Sequence, residues 1–203
     1  MVAIISNPVN STVPIFAEQM KVRGCYDPRK IFGVCTLDLV RANTFIAEAG
    51  NVDVQTISLP VIGGHAGASI LPVISQTTPK VDLTQEQIEA LTHRIQNGGT
   101  EVVQAKAGAG SATLSMAKAG AQFAISLIRA MNGEKGIVEC AYVESDVTSC
   151  GWFSTPLELG VNGIEKNLGL PELNEYETGL LAAAILELQP SIDEGVDFVK
   201  NNQ

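Results

Sequence analysis

The chain has 203 residues, of which 45% are hydrophobic and 17% charged, enough for one large domain or two small ones with a real core. Its 13 basic and 22 acidic side chains leave a formal charge of −9. A surface this acidic repels phosphate backbones and argues against a nucleic-acid partner. It would not steer an anionic substrate either, so any anion site must be built locally from a few arginines. No apolar run reaches membrane-spanning length, which argues against a membrane partner.

In chain order, Met1–Ile5 reads as a strand buried on both faces, the type found inside parallel sheets. A native N-terminus rarely starts inside such a strand, and the run is cut short by Ser6-Asn7-Pro8, unlike a signal peptide. Ser11 or Thr12 can cap a helix with Pro14 in its first turn and Gly24 at its end. Ile31–Thr36 is a second short strand, completing a βαβ unit and implying a parallel sheet. Leu37–Ala49 reads as a helix closed by Gly50.

Val52–Ile62 looks like an extended strand running into Gly63-Gly64-His65-Ala66-Gly67. Thr84-Gln85-Glu86-Gln87 is a capping box for a helix with Ile88, Leu91 and Ile95 on one face, with a possible restart after Gly98-Gly99. Ser111–Met131 is a long alanine-rich helix, and Ile137–Val143 and Trp152–Leu159 are strands followed by an Asn162-Gly163 tight turn. A last helix spans about Asn174–Gln189 and stops at Pro190, with Gly195 a weak point in a short terminal helix. The pattern is a fragment of an α/β domain followed by an α+β domain.

Two segments can carry chemistry. Asp38 and Arg41 are three apart on a helix and share a face; spacing alone allows a solvated surface pair, a common feature worth little energy, or a site. His65 stands among glycines at the end of an apolar strand, where backbone can approach a ligand closely. Together they supply a general base, a carboxylate to fix its tautomer, and a guanidinium to grip a planar carboxylate. That set suits oxidation of a 2-hydroxy acid. His93 sits beside Arg94 on the polar side of its helix and is given no role.

Cys25, Cys35, Cys140 and Cys150 form no CxxC pair and show no metal-ligand spacing with either histidine, so reduced thiols and no metal are expected. Gly108–Thr113 begins like a dinucleotide fingerprint, but its sixth position is Thr and its context is helical. No phosphate cradle is visible. A hydrolase built on His65 and Asp38 lacks a serine or cysteine placed as nucleophile.

Ile4-Ile5-Ser6-Asn7-Pro8-Val9-Asn10-Ser11-Thr12-Val13, Leu37–Phe45, Pro60–Gly67, Gly110–Met116 and Val138–Val143 resemble, in order and spacing, malate dehydrogenases of the mitochondrial and enterobacterial type. Around the histidine this chain has Gly-Gly-His-Ala-Gly, where the neighbouring lactate dehydrogenases carry Gly-Glu-His-Gly-Asp.

The resemblance implies an α/β remnant, the last βαβ of a Rossmann domain (1–36), followed by the α+β lactate/malate dehydrogenase C-terminal domain (37–203). It implies His65 as acid/base, Asp38 as its orienting partner, and Arg41 and Asn7 as substrate-binding residues. Ile5, Ser6, Asn7 and Met116 would lie along NAD, and Ser111 and Ala112 would line the pocket. The family's phosphate loop, ribose-binding acid and mobile loop with two arginines would all precede Ile4, so the cofactor platform is expected to be missing. The implied function is NAD-dependent malate dehydrogenase, acting on malate or oxaloacetate as a homodimer in the mitochondrial matrix, or else in bacterial cytoplasm. The alternative is a non-catalytic truncated subunit that pairs with a full-length malate dehydrogenase.

Overall fold

The computed structural model describes residues 1–202. It begins with the expected βαβ unit: β1 (Val2–Ile4), α1 (Val9–Val22) and β2 (Ile31–Val34), the strands parallel with Ala3 opposite Phe32. β1 is not buried on both faces, however: Val2 is 39% and Ile5 beyond it 43% exposed. β1 is the edge strand of the sheet, with β2 its single neighbour, so much of it stays open to water. Nor does Ser11 or Thr12 cap α1. The helix starts earlier, with Pro8 at its N-cap, which moves Pro14 into the helix interior.

α2 (Thr36–Gly50) ends as Asn51 takes a left-handed conformation at φ 51°. The expected strand over Val52–Ile62 shrinks to β3 (Val61–Gly63). The Asp53 side chain accepts from Gln55 N–H and its carbonyl accepts from the Thr56 hydroxyl. These local bonds draw the backbone into a turn and away from a ladder. β4 (Ile70–Pro72) pairs antiparallel with β3.

α3 (Gln85–Ala105) opens on the expected capping box, Thr84 and Gln87 bonding reciprocally, and runs through Gly98-Gly99 without a break. α4 (Thr113–Met131) follows, then β5 (Ile137–Glu144), β6 (Trp152–Gly160) and β7 (Gly163–Asn167). The β6–β7 hairpin turns at Asn162-Gly163, where Gly163 takes φ +100°.

α5 (Glu175–Asn201) does not stop at Pro190. Ala184, Leu188, Ile192, Gly195 and Val199 all lie on its buried stripe. Packing along that stripe outweighs the local penalty of a proline, and Pro190 with Leu186 four residues back is exposed, so water can serve the carbonyl that the missing N–H leaves free. Gly195 sits at the crossing with α1, where a Cβ would come 2.5 Å from the Ser11 carbonyl oxygen.

The strands form one mixed sheet in the order β1-β2-β5-β6-β3-β4, with β7 also on β6, and the sheet runs unbroken from the parallel pair into the antiparallel strands. One face carries α1 and α5 over Val13, Ile62, Tyr142, Phe153 and Leu188. Phe32, Phe123, Leu127 and Leu157 form a second cluster under α4. Tyr142 joins the first cluster and Ala141 and Val143 the second, as the alternation of a strand requires. A third cluster, with Ile46, Leu59, Leu91 and Ile95, joins α2 and α3. All four cysteines are free thiols, Cys25 exposed and the others buried. No helix among the described residues is long and apolar enough to cross a membrane.

Candidate active site

The site grows from two short pieces of backbone. The first turn of α2 presents Asp38 and, one turn on, Arg41. The end of β3 delivers His65 through a loop that Gly64 N–H closes on the Ser69 carbonyl at 2.7 Å. Gly64 is required by space: a Cβ there would come 2.6 Å from both Leu188 Cδ2 and Ser69 Oγ and 2.8 Å from Asn10 Oδ1. Gly63, at φ +98°, is required by backbone conformation as well.

His65 Nδ1 and Asp38 Oδ2 are 2.5 Å apart, although 27 residues separate them in sequence. The Asp38 side chain is fully buried and that of His65 is 9% exposed. Burial by itself would lower the His65 pKa; the charge of Asp38 and the hydrogen bond to it outweigh that, against a smaller opposing push from Arg41, and hold it above the ordinary 6.5.

The other Asp38 oxygen, Oδ1, has no hydrogen-bond partner and lies 3.5 Å from Arg41 Nη1. Arg41 is 14% exposed on its side chain. The Asp38–Arg41 pair is therefore not a solvated surface pair. The arginine stem crosses α3 at Gly98, where a Cβ would come 3.0 Å from Arg41 Cδ.

Asn7, Asp38, Arg41, His65, Ser111, Ala112 and Met116 all line one open cavity of about 420 Å³. Ile5 and Ser6 lie outside it, on a neighbouring apolar cleft of about 460 Å³ shared with Ile15 and Phe16. The two places adjoin at Gly120 of α4, where a Cβ would lie 2.9 Å from Ile5 Cδ1 and 3.8 Å from Met116 Cε.

Sequence reasoning missed the opposite wall of the cavity, which α3 supplies through Gln96, Gly99, Thr100 and Val103. Their spacing of three, four and seven is a helical stripe and could have been read as one. It also missed Asn10 and Ser69, which hold the histidine loop from beneath. Cys35 was unforeseen too. Its sulfur, an Asp38 oxygen and a His65 nitrogen lie within 4.8 Å of one another, a donor set that the sequence spacing hides. Burial, reinforced by the Asp38 charge, pushes this thiol well up, keeping it protonated.

Residues 35–199 match the family model of the lactate/malate dehydrogenase alpha/beta C-terminal domain. Mitochondrial malate dehydrogenase of Felis catus is 61% identical over 201 residues, covering 99% of this chain and 60% of the relative. That of Homo sapiens is 60% identical over 200 residues, covering 98% and 59%. The chain thus spans about 60% of the length of the curated relatives it matches.

Among solved structures, Cryptosporidium parvum malate dehydrogenase aligns with TM-score 0.81 at 22% identity, over 98% of this chain and 63% of that one. The lactate dehydrogenase of the same organism, solved with lactic acid and NAD, aligns with TM-score 0.78 at 26% identity, over 97% and 62%. With fold, order of elements and sequence in agreement, the chain belongs to the lactate/malate dehydrogenase family and carries its α/β C-terminal domain.

Proposed function

We propose that this chain supplies the proton-transfer and carboxylate-binding side of an NAD-dependent malate dehydrogenase site, interconverting malate and oxaloacetate. The observation that carries the proposal is the 2.5 Å contact of His65 with buried Asp38, on the same cavity as Arg41. In this reading residues 1–36 are the tail of the cofactor domain and 37–203 the substrate domain.

Neutral His65 donates its Nδ1 proton to Asp38, which leaves Nε2 as the acceptor for the malate hydroxyl proton. Asp38 stabilises the imidazolium that forms and fixes the tautomer. Arg41 grips the carboxylate beside the reacting carbon through parallel N–H donors, and Asn7 hydrogen-bonds the substrate. In the reverse direction protonated His65 gives its Nε2 proton to the oxaloacetate carbonyl. The raised His65 pKa favours that protonated form.

Where NAD is concerned, the residues present fit its nicotinamide end. The cavity is polar at His65 and Asn7 and passes through Met116 to apolar Ile5. When bound, NAD would supply the hydride acceptor for the reacting carbon. The Ile5-Ser6-Asn7 backbone would lie along it and Met116 near the nicotinamide, with Ser111 and Ala112 lining the pocket.

A homodimer and the mitochondrial matrix belong to the same proposal, the latter supported by relatives named as mitochondrial. The apolar cleft lined by Ile5, Ile15 and Phe16 also favours a second reading: a non-catalytic subunit that pairs with a full-length malate dehydrogenase. Mixing the two chains and weighing the complex separates these readings, because absence of a heterodimer removes the second.

The direct test is oxaloacetate-dependent NADH oxidation by the purified chain and by its His65→Asn variant, together with an oxaloacetate titration followed at the His65 imidazole. Loss of turnover in the variant and a shifted imidazole signal in the parent chain support the proposal. Turnover unaffected by the substitution, or binding that leaves His65 unmoved, overturns it.

A further inference from the structure

The Asn10 side chain is 2% exposed and lies directly beneath the histidine loop. Its Oδ1 accepts the backbone N–H of His65 at 2.8 Å, which fixes the amide orientation. The Nδ2 group must then face Ser69, and it donates to Ser69 Oγ at 3.2 Å. Ser69 Oγ also accepts from Ala66 N–H at 3.2 Å and donates its own proton to the Ala66 carbonyl. Every polar atom of this small network is used, and each bond ends on the loop that carries His65.

We propose that Asn10 is a positioning residue, whose carboxamide registers the His65 loop against the Asn7 turn so that Nδ1 meets Asp38. This rests on the reading of His65 as the acid/base. Asn7 and Asn10 lie three residues apart, on the approach to α1 and in its first turn. One backbone segment therefore holds a group on the substrate cavity and the support of the histidine. The amide chemistry is specific. It gives one acceptor to His65 N–H and one donor to a serine whose proton is already committed to Ala66. A carboxylate at position 10 offers no such donor. An aliphatic side chain leaves the His65 N–H without its acceptor, at the cost of a buried hydrogen bond.

Glu187 on α5 accepts from Ala68 N–H at 2.9 Å, so the loop is held at its buried end by Asn10 and at its exposed end by Glu187. Of these two, it is Asn10 that bonds the His65 backbone.

The test is nuclear magnetic resonance on the 203-residue chain labelled at histidine, with and without Asn10→Ala. The readouts are His65 amide exchange, imidazole tautomer and imidazole pKa, with β5–β6 amides as the control for global folding. The expected result is about tenfold faster exchange at His65, the scale of one lost hydrogen bond. A second tautomer and a pKa displaced from the parent value should accompany it, with β5–β6 protection unchanged. Unchanged His65 exchange, tautomer and pKa overturn the proposal.

If Asn10→Ala does not fold, Ser69→Ala decides. It keeps the Asn10–His65 bond and removes the acceptor for Nδ2, so a smaller shift of the His65 titration is expected, and no shift overturns the proposal. None of these readouts requires turnover. Oxaloacetate binding that leaves His65 unmoved, with the expected Asn10→Ala shifts, counts against the proposed function alone; binding that moves His65 without those shifts counts against Asn10 alone.

Discussion

The hydroxyl of Tyr142 donates to the main-chain carbonyl of Asn10 at 3.3 Å, and Pro14 is the reason that carbonyl is free. In an uninterrupted helix the N–H four residues on would bond it; proline has none. Tyr142 is fully buried on β5, and burial pushes its ionisation far up, so it remains a neutral donor. The bond ties the centre of the sheet to the turn of α1 whose side chain, Asn10, holds the His65 loop.

Tyr142→Phe should therefore destabilise the chain by about 1–2 kcal/mol, because it leaves a buried carbonyl without a donor. Pro14→Ala restores an N–H that can take over, so the same substitution in a Pro14→Ala background should cost less than half as much. Urea unfolding of the four chains measures the coupling. Equal costs in both backgrounds would show that the proline and the tyrosine act independently.

Gly195→Ala tests the crossing of α1 and α5. The added methyl would sit 2.5 Å from the Ser11 carbonyl oxygen and 3.2 Å from Pro14 Cβ. The Ser11 oxygen is main chain and cannot swing aside, so the two helices must part, at about 1–3 kcal/mol. On helix propensity alone the change would stabilise by about 1 kcal/mol. A raised thermal midpoint would mean that the crossing is looser than the structure has it.

That crossing also marks what was legible in the sequence. Several features set by a few adjacent residues read correctly, among them the Thr84–Gln87 box, the Asn162-Gly163 turn and the first βαβ unit, while the cap of α1 and the Asp53 turn did not. Features set by distant partners were harder still. Pro190 reads as a stop, yet the stripe from Ala184 to Val199 packs on α1 and carries the helix through. The site divides in the same way. Asp38 with Arg41, and His65 among glycines, are local patterns. Asn10, Ser69 and Cys35 approach the histidine only after folding, and nothing in their spacing announces it.

The His65–Asp38 pair predicts a pH dependence of stability. His65 has a folded pKa above 6.5, so the folded chain holds its proton more tightly than the unfolded one. The stabilisation is fully present below pH 6.5 and is lost as pH rises through the folded value. Asp38→Asn removes the charge and leaves the burial, which lowers the pKa. In that variant the His65 contribution should reverse sign, with stability falling as pH drops below 6.5. Imidazole titration of the two chains checks the direction. A His65 pKa that stays above its ordinary value in Asp38→Asn would show that something other than Asp38 raises it.

Arg41→Lys separates a point charge from a fork. The arginine stem lies against Gly98 of α3, with Nη1 3.8 Å from where a Gly99 Cβ would be, so the guanidinium is seated between two helices. Lysine keeps the charge near Asp38 but presents a single ammonium that cannot make two parallel bonds to a carboxylate. The dissociation constant for oxaloacetate should rise about 10–100-fold, the scale of one charge-assisted hydrogen bond, while the His65 pKa stays nearly unchanged because the net charge at position 41 is the same. Titration with oxaloacetate, read at the His65 imidazole, measures both quantities at once. Unchanged affinity would place the carboxylate elsewhere in the cavity. A lost affinity accompanied by a displaced His65 pKa would show that Arg41 acts on the histidine instead of on the substrate.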